Sequence, residues 1–129
     1  MKLELKHLAP YLPYKINYFI DFEDGDTSIW ELEGLTKEEI FIDGYDTNYE
    51  SKNCKPVLRP LSDLTKEIDY NGDRFYPYNE LKIPLDLSLN MDYRNINNFP
   101  YKVISKMIEW HFDVFGLIDK GLAINMNEL

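Results

Sequence analysis

One cysteine, Cys54, two histidines, His7 and His111, and two alanines are all that the chain carries of those residue types. A single thiol excludes an internal disulfide and fits a reducing compartment. The six glycines are isolated from one another, so neither a phosphate-cradling loop nor a dinucleotide fingerprint is present. No stretch approaches the roughly 18 apolar residues of a membrane span. Residues 1–14 hold Lys2, Glu4, Lys6 and His7 with Pro10 and Pro13, which leaves no uninterrupted apolar segment for export. A cytoplasmic protein with no membrane contact is expected. A basic stripe is missing too, and direct nucleic-acid binding, which needs one to neutralise phosphates, is not expected.

What the sequence has in quantity is acid, and in one place. Of its net charge of −9, the segment 21–50 carries eleven acidic residues and the single base Lys37, which is −10, and the remainder carries +1. With 129 residues and 44% apolar content, the chain is long enough for one globular domain, 1–129, that buries roughly two-thirds of its unfolded surface.

Residues 15–22 alternate through Ile16, Tyr18, Ile20 and Phe22, and residues 28–35 through Trp30 and Leu32, so both predict strands with one buried face. Between them Glu23-Asp24-Gly25-Asp26 contains Asp-Gly, a strong hairpin signal. A third strand is expected at 40–42. Residues 45–53 read as an irregular loop or an exposed strand edge. Residues 56–61 should be extended because Pro60 pushes Arg59 out of the helical region, and Ser62-Asp63 should cap a short helix through Ile68. Asn71-Gly72 either closes that helix or turns a small hairpin. Residues 86–98 look like a connection.

From 99 to 120 the apolar residues fall at helical spacing in two rows, one through Val103, Met107, Trp110, Val114 and Leu117, the other through Ile104, Ile108, Phe115 and Ile118. Lys102, Lys106, Glu109, Asp113 and Lys120 share the opposite stripe. Asn98 and Pro100 suit the start, and Lys120-Gly121 the stop. The expected fold is therefore α+β, with a small N-terminal antiparallel sheet over 15–42 packed on a long C-terminal helix.

Candidate chemistry is sparse. His111 with Asp113 two residues on does not make a ligand pair on a helix, since such positions point apart, and a core histidine is the favoured reading. Cys54 could act as a nucleophile only if His7 or His111 approached it. Asp21, Glu23, Asp24 and Asp26 do not fit an EF-hand, because Gly25 at the sixth position puts Ile20 at the first. They read instead as the acidic tip of a hairpin. Gly116 is expected to permit close packing or a local break. Tyr45, Tyr49, Tyr76, Tyr78 and Tyr93 lie in polar segments, where tyrosines serve well at interfaces. No metal or cofactor is expected.

Three stretches carry a resemblance: Met1-Lys-Leu-Glu-Leu-Lys-His at the start of 1–14, Lys55-Pro-Val-Leu-Arg-Pro-Leu at the start of 55–68, and Trp110-His-Phe-Asp-Val-Phe-Gly within 108–124. They resemble segments of a family of small proteins without assigned function, encoded in prophages and related mobile elements of Bacteroidales-type gut bacteria. The resemblance implies a phage-associated cytoplasmic protein and no particular activity. The expected function is non-enzymatic: binding of another protein through the acidic surface around Asp21, Glu23, Asp24 and Asp26. The alternative is a small hydrolase-like enzyme using His111 or His7 with Cys54 or nearby carboxylates.

Overall fold

Alternation in the first half of the chain becomes strand pairing in the computed structural model, which describes residues 2–129. Strands β1 (Asn17–Asp21) and β2 (Thr27–Leu35) pair antiparallel, with Tyr18 opposite Trp30 and Asp21 opposite Thr27. β3 (Glu39–Ile42) follows on β2, and β4 (Tyr45–Asn48) on β3. The β3–β4 turn uses Asp43 and Gly44 at φ 38° and 81°, the two left-handed positions a type I′ turn requires. β5 (Cys54–Leu58) then pairs with the free side of β1, placing Cys54 opposite Ile20.

β2 serves two partners. Its first five residues face β1, its last four face β3, and the register shifts between Leu32 and Gly34. Such a shift is where a strand bends and twists more strongly, and here it falls between the part of β2 that faces β1 and the part that faces β3. A second, two-stranded sheet is formed by β6 (Ile68–Tyr70) and β7 (Asp73–Phe75), turned by Asn71-Gly72 at positive φ. Of the two roles open to Asn71-Gly72, the hairpin is the one observed. The short β8 (Ile124–Asn125) joins β5 in parallel, giving the six-stranded order β4-β3-β2-β1-β5-β8.

Helices are short: α1 (Leu5–Leu8), α2 (Pro77–Glu80), α3 (Leu85–Leu89) and α4 (Tyr101–Glu109). The turn at Leu61–Thr65 is a 3-10 helix and ends before Ile68, which opens β6. Asn98 belongs to a 3-10 turn rather than capping α4, and Pro100 stands just ahead of the first helical residue. Among the described residues, no helix is long and apolar enough to cross a membrane. Tyr18, Ile20, Leu32, Ile40 and Ile42 of the sheet are buried together with Leu8, Tyr11, Met107, Phe112 and Leu117 in one core.

The expected long C-terminal helix over 99–120 is not there. α4 stops at Glu109, and His111 takes a left-handed φ of 68°. The next residues pair instead with the end of β5: the Arg59 amide donates to the His111 carbonyl at 2.7 Å, and the Asp113 amide donates to the Arg59 carbonyl at 2.8 Å. Residues 111–116, His-Phe-Asp-Val-Phe-Gly, all come from the lower half of the helix propensity scale, so strand-like partners win. Helical spacing misled because Trp110, Phe112 and Val114, alternate residues, are all buried. The protein is thus a sheet-rich α+β fold, with a mixed sheet reaching from Asn17 to Asn125 in place of a small N-terminal sheet on a helix. Asp113, expected on the polar stripe, is buried and accepts from the amides of Leu117 and Ile118 at 2.9 and 2.8 Å. Gly116 both breaks and packs, since its φ is 73° and a Cβ there would lie 2.5 Å from the Tyr93 ring.

Candidate functional site

Four carboxylates meet at the β1–β2 turn because the hairpin is closed by its own side chains. The Phe22 amide donates to the Asp26 carbonyl at 3.0 Å, and Glu23 and Gly25 take positive φ to make the reversal. Asp21 accepts from the Glu23 amide at 3.0 Å and Asp24 from the Asp26 amide at 2.9 Å, the short side-chain turns that aspartates favour. Glu23 accepts from the Asn53 side-chain amide at 2.8 Å, and the Asp21 amide donates to the Asn53 carbonyl, so the turn is tied to the start of β5. All four carboxylates are exposed, and none is ion-paired among the described residues.

Beside them runs an aromatic ladder that sequence reading did not assemble. Phe22 meets Trp30 edge to face at 5.8 Å between ring centroids, and Trp30 meets Tyr45 in the same way at 5.9 Å. This is the arrangement aromatic quadrupoles prefer. Phe22 is 39% exposed and Tyr45 38%, so the ladder ends in solvent at both sides. The alternation that places Tyr18, Ile20 and Phe22 on one face was visible in the sequence, but the pairing of Tyr18 with Trp30 and Ile42 with Tyr45 was not. Phe22 belongs to the same turn as Asp21, Glu23, Asp24 and Asp26, so one end of the ladder lies in the acidic turn.

The residues of the enzymatic alternative are each engaged elsewhere. His7 is buried, accepts the Glu4 amide at Nδ1 over 3.0 Å and lies edge-on to Phe115. His111 donates from Nε2 to the Tyr14 carbonyl at 2.7 Å and meets Tyr70 edge-on. Cys54 is buried on β5 opposite Ile20. No hydrogen bond joins Cys54 to either imidazole, and both histidines spend a ring nitrogen on the backbone. Among the described residues, no group of three or more His, Cys, Asp or Glu is placed to hold a metal ion.

Burial lowers the pKa of both histidines. For His7 the Lys6 and Lys120 charges add to this and Glu4 opposes it; for His111 the bond to Tyr14 opposes it and Arg59 adds to it. The unfolded chain takes up these protons near pH 6.5, before the folded one, so their contribution is complete above that value and is lost as the pH falls below it. The buried Asp113, whose pKa is raised by burial, acts in the opposite sense. The comparison that isolates His111 is with His111→Gln: its urea midpoint should fall less than that of wild type between about pH 7.5 and 5.5. Equal falls would contradict a half-buried imidazole whose pKa is lowered in the folded state.

Comparison of the chain with protein-family models, with curated proteins and with solved structures finds no match.

Proposed function

We propose that the protein is a non-enzymatic accessory protein, of the prophage-associated kind its sequence resembles, that binds another protein through the acidic end of the β1–β2 hairpin. One observation carries the reading: a half-exposed aromatic ladder, Phe22–Trp30–Tyr45, starts at Phe22, inside the turn that carries the four carboxylates. Aromatic anchors supply most of the binding energy of typical interfaces, and surrounding charge sets association rate and partner choice. The segment 21–50, which carries the chain's net negative charge, forms the hairpin tip and the β2–β3–β4 arm, so unbalanced negative charge is concentrated in one part of the fold. A partner with a basic, groove-like face is the complement. A narrower form of the proposal has the acidic surface standing in for nucleic acid in the groove of a DNA-binding protein.

The test is the affinity of a partner isolated with the tagged protein. Reversing Asp21, Glu23, Asp24 and Asp26 to Lys should weaken it by about 100-fold at low salt, some 2.7 kcal/mol. Phe22→Ser should weaken it by about 10-fold at both low and high salt, because its contribution is apolar. A reversed protein that binds within about twofold of wild type would overturn the reading, since that is well under 1 kcal/mol.

A further inference from the structure

The N-terminal segment is held on the fold by a bond that only one protonation state of a side chain can make. At the start of α1 the Glu4 amide donates to Nδ1 of His7 at 3.0 Å, and the His7 amide donates back to the Glu4 carbonyl at 3.0 Å. Only a ring nitrogen with a free lone pair accepts an N–H, so Nδ1 is unprotonated and the neutral ring carries its proton on Nε2. The residue is 3% exposed, and its ring lies edge-on to Phe115 at 5.6 Å between centroids. An imidazolium in the same place would aim a hydrogen on Nδ1 at the hydrogen of the Glu4 amide. Two donors facing each other leave both without a partner, so the contact must open.

The surroundings of the ring oppose a charge as well. Burial does so first, then Lys6 on α1 and, from the Phe115 side, Lys120, whose ammonium is fixed by the Phe115 carbonyl at 3.4 Å and the Tyr93 ring at 4.5 Å. Only Glu4, ion-paired with Lys6 at 3.3 Å, favours the proton. Little else holds residues 2–7: the buried Leu3 side chain, and an exposed pair of Lys2 with Glu50 at 3.5 Å, of a kind that contributes about 1 kcal/mol at most. The next turn is anchored separately, because the buried Tyr11 hydroxyl donates to the Phe112 carbonyl and accepts from the Val114 amide. Residues 2–6 form one wall of a cavity of about 740 Å³, with Asn48, Tyr49 and Glu50 on the other.

We infer that His7 is a proton-operated latch: acidification puts a proton on Nδ1, breaks the bond to the Glu4 amide and releases residues 2–7 while the rest of the domain stays folded, which removes that wall of the cavity. The inference is independent of the acidic hairpin.

Amide exchange of the full chain, read by NMR between pH 7.5 and 5 and corrected for intrinsic rates, tests it. A released ring takes up its proton near pH 6.5 and the latched one only lower, so protection of the Glu4 and His7 amides should fall by about tenfold over this range while the β1–β2 amides keep theirs. His7→Gln, whose side-chain oxygen accepts the same amide at any pH, should change by less than about twofold, and His111→Gln should follow wild type. Titration of the His7 ring in wild type needs no variant: its proton should sit on Nε2 at pH 7.5, and its midpoint should coincide with the loss of protection. Protection of Glu4 and His7 that is unchanged at pH 5, lost equally in His7→Gln, or lost together with that of the β1–β2 amides would overturn the inference.

Discussion

Trp110→Ala should cost about 3–5 kcal/mol, the range for truncating a large buried aromatic, and bring the domain close to unfolding. Trp110 directly follows α4 and is 5% exposed, with its ring tilted against Phe75 at 4.8 Å and the Lys106 ammonium 5.8 Å from its centroid. It therefore joins three parts of the chain: the helix, the β6–β7 hairpin through Phe75, and β5 through the Arg59 side chain, whose Nε donates to the Trp110 carbonyl at 3.1 Å. Removing the indole opens a cavity that these elements, being short, can close only by losing their mutual contacts. Equilibrium urea unfolding measures the loss. A change under about 1 kcal/mol would mean that the indole is exposed in solution.

Asp113→Ala should cost about 2–4 kcal/mol, which separates the observed chain path from a continuous helix. In a helix over 99–120, Asp113 would sit on the solvent stripe, and alanine, the better helix former, would leave stability unchanged or raise it by a few tenths of a kcal/mol. In the structure its carboxylate is buried and holds the buried Leu117 amide and the part-buried Ile118 amide, which would lose their partner. Each unsatisfied buried donor costs about 1–3 kcal/mol, and part of the total is returned because the buried carboxylate is itself costly to ionise. The same unfolding experiment reads the sign. A stability equal to or above wild type would return residues 110–120 to the helix.

Local signals account for what the sequence made legible. Alternation through Tyr18, Ile20, Trp30 and Leu32, with Asp24-Gly25 between the runs, specified β1, β2 and the turn that joins them. The acidic tip with Asp21, Glu23, Asp24 and Asp26 was legible for the same reason, since a hairpin brings its own neighbours together. Non-local pairing hid the rest. β8 is two residues long and exists only because β5 offers an edge in parallel, and nothing in Ile124-Asn125 marks it. The helix ended early because the Arg59 backbone, some fifty residues upstream, supplied better partners to residues 111–113 than another helical turn could. The Phe22–Trp30–Tyr45 ladder likewise depends on strand order, which spacing along the chain does not reveal.

Affinity capture with tagged protein from bacterial lysate, run side by side for wild type, the reversal of Asp21, Glu23, Asp24 and Asp26 to Lys, and His111→Gln, tests the central claim most directly. Each capture is washed at about 0.05 and 0.5 M salt, where the screening length differs by about threefold, and the bound proteins are identified by mass spectrometry. The account predicts a basic partner that wild type and His111→Gln both retain at low salt, and that high salt or the reversal removes. A partner that survives the reversal and high salt, or that is lost with His111→Gln while the fold stays intact, would contradict it.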